Sequence, residues 1–211
     1  MKLRNALILA LTAFIWGTSF VAQSVGMDYI GPFTFNGVRS FIGAITLIPF
    51  ILIQKKFQRK TKRTAKEAPE NKALIDKKNI KELIAGGILC GVLLFVSSSL
   101  QQIGIKYTSA GKAGFITAFY IVLVPVIGIF MKKTSGWKIW AAVVLALAGL
   151  YCLCIKEGLY IEKGDILIFF CATGFSLHIM VIDYFAPKVN GVALSCIQFL
   201  VCGFASVPFM L

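Results

Sequence analysis

Thr12, Trp16, Ser19 and Gln23 stand four, three and four residues apart. At 100° per residue they form one narrow polar and aromatic stripe on a helix. Such a stripe suits the wall of a cavity that takes a small solute. The same side chains also bond between packed helices, and spacing alone does not choose between the two. Arg39 is the single charged residue in the block from 29 to 54. It lies six residues into its apolar run, about 9 Å at 1.5 Å per residue. Its guanidinium fork is shaped for a carboxylate or similar anion, or its side chain snorkels to the boundary. His178 is the only histidine, with Cys171, Phe175 and Ile182 at helical spacing around it. It either faces a solute path or makes one bond to a neighbouring helix. Ser98, Gln101 and Gln102 share a face late in one apolar run, and Thr117 and Tyr120 share one in the next. They are secondary candidates for the same path.

Other chemistry is poorly served. Asp28, Asp165 and Asp183 sit at the ends of apolar runs, where hydration is expected, and no carboxylate lies at depth for a proton relay. The cysteines at 90, 152, 154, 171, 196 and 202 all fall in apolar runs, where a thiol behaves as a small hydrophobe. Cys152 and Cys154 are two apart and so face different directions on a helix. No nucleophile–base pair, phosphate loop or metal-ligand cluster stands out, so no catalytic residue, metal or cofactor is expected.

The elements that must carry these residues are long and apolar. The 211 residues are 58% hydrophobic and 15% charged, with a mean hydropathy of +0.82. Soluble domains run nearer a quarter charged. Residues 5–27, 83–105 and 189–211 hold no Asp, Glu, Lys or Arg. A helix needs roughly 20 apolar residues to cross a ~30 Å hydrocarbon layer. The pattern predicts an all-α membrane protein with seven spans, at about 5–26, 33–53, 82–104, 111–131, 137–155, 164–184 and 192–211. Runs such as Ala141–Ala148 do not alternate, which argues against a β-barrel. The first run is too long for a signal peptide and is read as an uncleaved helix.

Charge sets the expected orientation. One side carries Lys2 and Arg4, the eleven basic residues of 55–81, then Lys132, Lys133, Lys138 and Lys188. The other carries Lys106, Lys112, Lys156 and Lys163. Basic loops stay in the cytoplasm, so the N-terminus and the 54–81 loop are expected inside an inner or plasma membrane. The net charge of +13 is thus a topology signal facing lipid head groups, not a nucleic-acid surface.

Displacing the chain by 159 residues places Ala13 on Ala172, Trp16 on Phe175, Ser19 on His178, Arg39 on Gln198 and Pro49 on Pro208. The first two spans then overlie the sixth and seventh. A five-helix unit is odd, so a second copy enters the membrane from the opposite side, an arrangement recurrent in secondary transporters. The expected organisation is a first repeat over 1–155 and an incomplete second, with two helices, over 160–211.

Phe14-Ile15-Trp16-Gly17-Thr18-Ser19-Phe20 resembles the first-helix motif of EamA-type proteins of the drug/metabolite transporter superfamily. Arg39 matches their second-helix arginine. The run from Tyr107 to Thr117, followed by Pro125, resembles their third-to-fourth helix junction, and Gly164-Asp165-Ile166-Leu167 the start of their second repeat. Met131-Lys132-Lys133 stands where members often carry a Glu-Arg pair. The resemblance implies the first two-thirds of a ten-helix transporter of metabolites, amino acids or drugs, often outward, and not an enzyme. A truncated scaffold that binds lipid, a second copy or a complementing fragment is the alternative. A membrane-embedded enzyme would need a deeper cluster of His, Asp or Glu.

Overall fold

The computed structural model describes residues 2–62, 69–130, 136–156 and 162–210, and these contain helices and turns without a strand. The helices are α1 (Lys2–Gly26), α2 (Pro32–Lys62), α3 (Pro69–Ile105), α4 (Ala110–Ala118), α5 (Tyr120–Phe130), α6 (Trp137–Lys156), α7 (Lys163–Phe185) and α8 (Gly191–Ser206), closed by a 3₁₀ turn at Val207–Phe209. Among the described residues six stretches are apolar and long enough to cross a membrane: Arg4–Gly26, Pro32–Gln54, Asn79–Ile105, Ala110–Phe130, Lys163–Phe185 and Gly191–Phe209. A shorter apolar stretch covers Trp137–Gly149. Lipid offers the backbone no partners, so every crossing is helical.

One boundary differs from the expectation. The basic segment is not simply a loop: α2 continues to Lys62 and α3 begins at Pro69. The apolar run defined where each helix crosses, but a Lys- and Glu-rich helix continues readily into water because such residues are good helix formers. Within the segment, residues 63–68 lie outside the described residues. The fourth span is two helices. Its turn is at Phe119, whose amide bonds the Ile116 carbonyl at 3.1 Å in a tightened turn, and Pro125 follows within α5, unable to donate.

Helix starts are set by local bonds. Ser109 Oγ accepts from the Lys112 amide at 3.1 Å and opens α4. Asn190 Oδ1 accepts from the amides of Val192 and Ala193 at 3.0 and 3.1 Å and opens α8. Its Nδ2 also donates to Gln54 Oε1 at 2.9 Å, tying that end of α8 to α2.

Packing centres on α2, α3, α7 and α8. Close approach of α3 to α8 depends on missing side chains. A Cβ at Gly91 would lie 2.5 Å from Val201 Cβ, and Gly87 lies against Ile197 in the same way. The two glycines at i and i+4 form the small-residue seam typical of membrane helix pairs. The interior is rich in polar groups: Asn36, Ser40, Gln102, Thr117, Ser176 and Ser206 are buried. Leu7, Leu9, Leu11, Phe14, Leu145 and Phe170 point outward. That distribution suits a molecule whose surroundings are hydrocarbon. By contrast, α1 touches the rest chiefly through α4 and α3, and an apolar cleft of about 330 Å³ runs between Gly17–Val21 and Ala110–Phe115.

Candidate functional site

The stripe on α1 knits to itself along the helix. Ser19 Oγ donates to the Trp16 carbonyl at 2.7 Å, and Gln23 Nε2 donates to the Ser19 carbonyl at 3.2 Å. These bonds fix the side chains on one face. That face lines an open cavity of about 370 Å³, within the usual range for small-molecule sites. Trp16, Ser19, Phe20 and Gln23 come from α1; Asn36, Arg39, Ser40 and Gly43 from α2; Leu94 and Gln101 from α3. Phe175 of α7 and Phe199 of α8 complete the wall.

Arg39 reaches back one turn rather than out to the boundary. Its Nη2 donates to Asn36 Oδ1 at 3.1 Å, and its guanidinium carbon lies 5.8 Å from the centre of the Phe35 ring. Asn36 is itself buried and fixed, its Nδ2 lying 3.5 Å from Ser99 Oγ and 3.8 Å from Cys202 Sγ. The arginine is therefore positioned from below by a neutral amide and from the side by a ring. Among the described residues the cavity wall carries no carboxylate.

The remaining candidates surround this centre in different ways. Tyr120 meets the Trp16 ring edge-on, with centroids 6.0 Å apart. Thr117 donates to the Ala113 carbonyl at 2.7 Å and accepts from Gln101 Nε2 at 3.1 Å, so it supports a wall residue from behind. His178 is buried and its Nε2 lies 3.0 Å from Gln198 Oε1, joining α7 to α8; the Phe175 ring lies 6.4 Å away. Gln102 is fully buried, and neither of its amide atoms has a partner among the described residues. Thr12 turns to the Ile8 carbonyl at 2.8 Å on the exposed part of α1. Trp16, Ser19, Gln23 and Arg39 thus share one cavity, whereas Thr12, Gln102, Thr117, Tyr120 and His178 are not part of its wall.

Asp165 departs from the expectation of a hydrated helix end. It is buried, accepts from Thr108 Oγ1 at 2.6 Å and from the Glu162 amide at 3.0 Å, and pairs with Lys112 at 3.9 Å. Thr108 arrives from the α3–α4 turn, Lys112 from the first turn of α4, and Glu162 is the residue that precedes α7. Asp28 and Asp183 are exposed. Of the cysteines, 90, 171, 196 and 202 are buried and free, while Cys152 is free and exposed. No group of three or more His, Cys, Asp or Glu side chains gathers among the described residues.

Asn36, Ser40, Phe175, Phe199 and Gln198 were not singled out as site residues. Asn36 and Ser40 lie one turn and one residue from Arg39, so the face of α2 around the arginine was the available signal. Gln198 was visible as the repeat-mate of Arg39, without a role attached.

Residues 3–155 match the model of the EamA-like transporter family. An uncharacterized transporter of Archaeoglobus fulgidus is 32% identical over 202 residues, which cover 95% of this chain and 56% of that protein. The uncharacterized transporter YoaV of Bacillus subtilis is 29% identical over 152 residues, covering 71% of this chain and 46% of that protein. The chain spans about half the length of these relatives. No solved structure matches it significantly.

Proposed function

The chain belongs to the EamA-like transporter family, and from that premise we propose that it forms the solute-binding part of a secondary transporter of small organic solutes, working outward by alternating access. The observation that carries this reading is the cavity, in which a polar-aromatic stripe of α1 faces Arg39 of α2 across about 370 Å³. Tyr120 of α5 touches the cavity residue Trp16 and supports the reading.

The organisation we infer is an inverted repeat of five helices over 1–155, with its second copy opening over 160–211. Support comes from a reciprocal pair of contacts between α2 and α8. Ser40 Oγ lies 3.3 Å from Cys202 Sγ, and a Cβ at Gly43 would meet Phe199 at 3.3 Å. The displacement of 159 residues carries Ser40 onto Phe199 and Gly43 onto Cys202, so each contact is the image of the other. A two-fold axis between the helices produces that reciprocity. We place the protein in the plasma membrane with its N-terminus in the cytoplasm, on the basic-residue asymmetry. The function is read as transport without catalysis, with no nucleic-acid partner; a second copy or a complementing segment is its protein partner.

The test is flux. Purified protein is reconstituted in liposomes and uptake of radiolabelled 3-phenylpropionate, phenylalanine and phenethylamine is followed. The reading expects at least one to cross faster than into empty liposomes, and Trp16→Ala to slow it with abundance unchanged. Equal flux in empty and loaded liposomes for every solute would refute it.

A further inference from the structure

We infer that the solute carried is an organic anion, with its carboxylate on Arg39 and its apolar body against Trp16, Phe175 and Phe199. The inference rests on reading the cavity as the solute site, and deepens that reading.

The first observation is an unbalanced charge. Charged side chains within membrane spans are costly and are ordinarily paired. Arg39 has no carboxylate within ion-pair distance among the described residues; the ion pair found there joins Lys112 to Asp165 at another place in the fold. What holds Arg39 is neutral: Asn36 Oδ1 on one nitrogen and the Phe35 ring beside it. A guanidinium presents five N–H donors, and Asn36 takes one. The rest of the fork stays available on a side chain that is exposed to the cavity. A planar fork held in this way fits a carboxylate through two parallel bonds.

The second observation is the character of the remaining wall. Trp16, Phe175 and Phe199 are aromatic and line the same cavity as the polar residues. They offer area to an apolar body. Gln23 is only 4% exposed, its Nε2 is used on Ser19, and its Oε1 has no partner among the described residues. An unsatisfied buried acceptor costs free energy, which a solute hydroxyl or N–H offsets. The wall without acidic residues gives a cation no counter-charge. The combination therefore selects an amphipathic carboxylate with a hydrogen-bond donor, and disfavours an amine.

Three isosteric probes separate the possibilities: 3-phenylpropionate, 3-phenylpropionamide and 3-phenylpropylamine, titrated calorimetrically into purified protein in nanodiscs. The carboxylate is expected to bind at least about tenfold more tightly than the amide, the scale of one charge-assisted hydrogen bond, with the amine weakest. Arg39→Gln should erase the difference between carboxylate and amide, and Arg39→Lys should restore part of it. Thermal melts of both variants report whether the fold survives; the wild-type comparison stands without them. Equal affinity for carboxylate and amide, or tightest binding of the amine, overturns the proposal, including the case in which another part of the protein supplies a carboxylate to Arg39. Liposome flux of amine or amide without anion preference would leave transport standing and remove the anion; carboxylate preference without flux would do the reverse.

Discussion

Ser40 Oγ lies 3.3 Å from Cys202 Sγ, and the proposed displacement of 159 residues would turn this pair into Phe199 and Gly43, where a Cβ on the glycine would meet the ring at 3.3 Å. On the proposed repeat, two helices 162 residues apart in sequence at these atoms meet by equivalent surfaces. Cross-linking checks the pairing. In a chain whose other cysteines are replaced, Ser40→Cys beside the native Cys202 should oxidise to a disulfide under mild copper catalysis in the membrane. The Thr46→Cys variant, on the exposed side of α2, should not. Cross-linking at 46 in place of 40 would mean that α2 presents a different face to α8.

His178 and Gln198 are the mates of Ser19 and Arg39 in the proposed repeat, yet they bond to each other at 3.0 Å inside the bundle. Their role as drawn is to join α7 to α8. A double-mutant cycle of His178→Ala and Gln198→Ala, read by denaturation in detergent, should give a coupling of about 0.6 kcal/mol, the average for such bonds in membranes. Solute affinity should change little. A coupling near zero together with lost affinity would move His178 from strut to solute contact.

The proposed orientation puts the basic segment in the cytoplasm. Alkaline phosphatase fused at residue 65 should be inactive and at residue 107 active. The opposite pattern would invert every span.

Gly91 allows α3 to approach α8, where a Cβ would lie 2.5 Å from Val201. Gly91→Leu should destabilise the protein by roughly 1–3 kcal/mol, as overpacking does. Gly149→Leu, in open space on α6, should be nearly neutral. Equal melting temperatures for the two variants would contradict the close packing.

The spans were legible because uncharged runs of twenty residues leave few alternatives in lipid. The stripe was legible because Trp16, Ser19 and Gln23 obey one helix's period, and a cavity-facing helix displays that period in its own sequence. Asn36 and Gln198 were harder to read. Their partners, Ser99 and His178, lie on other helices, and local spacing carries no record of a contact made across the bundle. Asp165 was misjudged for the same reason. Its position at a helix start suggested water, but Thr108 and Lys112 fold over it from the preceding turn. Thr12 shows the converse limit: it keeps the period of the stripe, but it lies where no neighbouring helix encloses α1, and its hydroxyl returns to its own backbone.

Alternating access is the central claim, and Ser19 on the cavity wall is the place to measure it. With the native cysteines replaced, Ser19→Cys is exposed to a membrane-impermeant thiol reagent in right-side-out and in inside-out vesicles. Labelling from both sides is predicted, with 3-phenylpropionate slowing the reaction from each. Labelling from one side alone, unchanged by solute, would contradict a site that opens in turn to the two faces of the membrane.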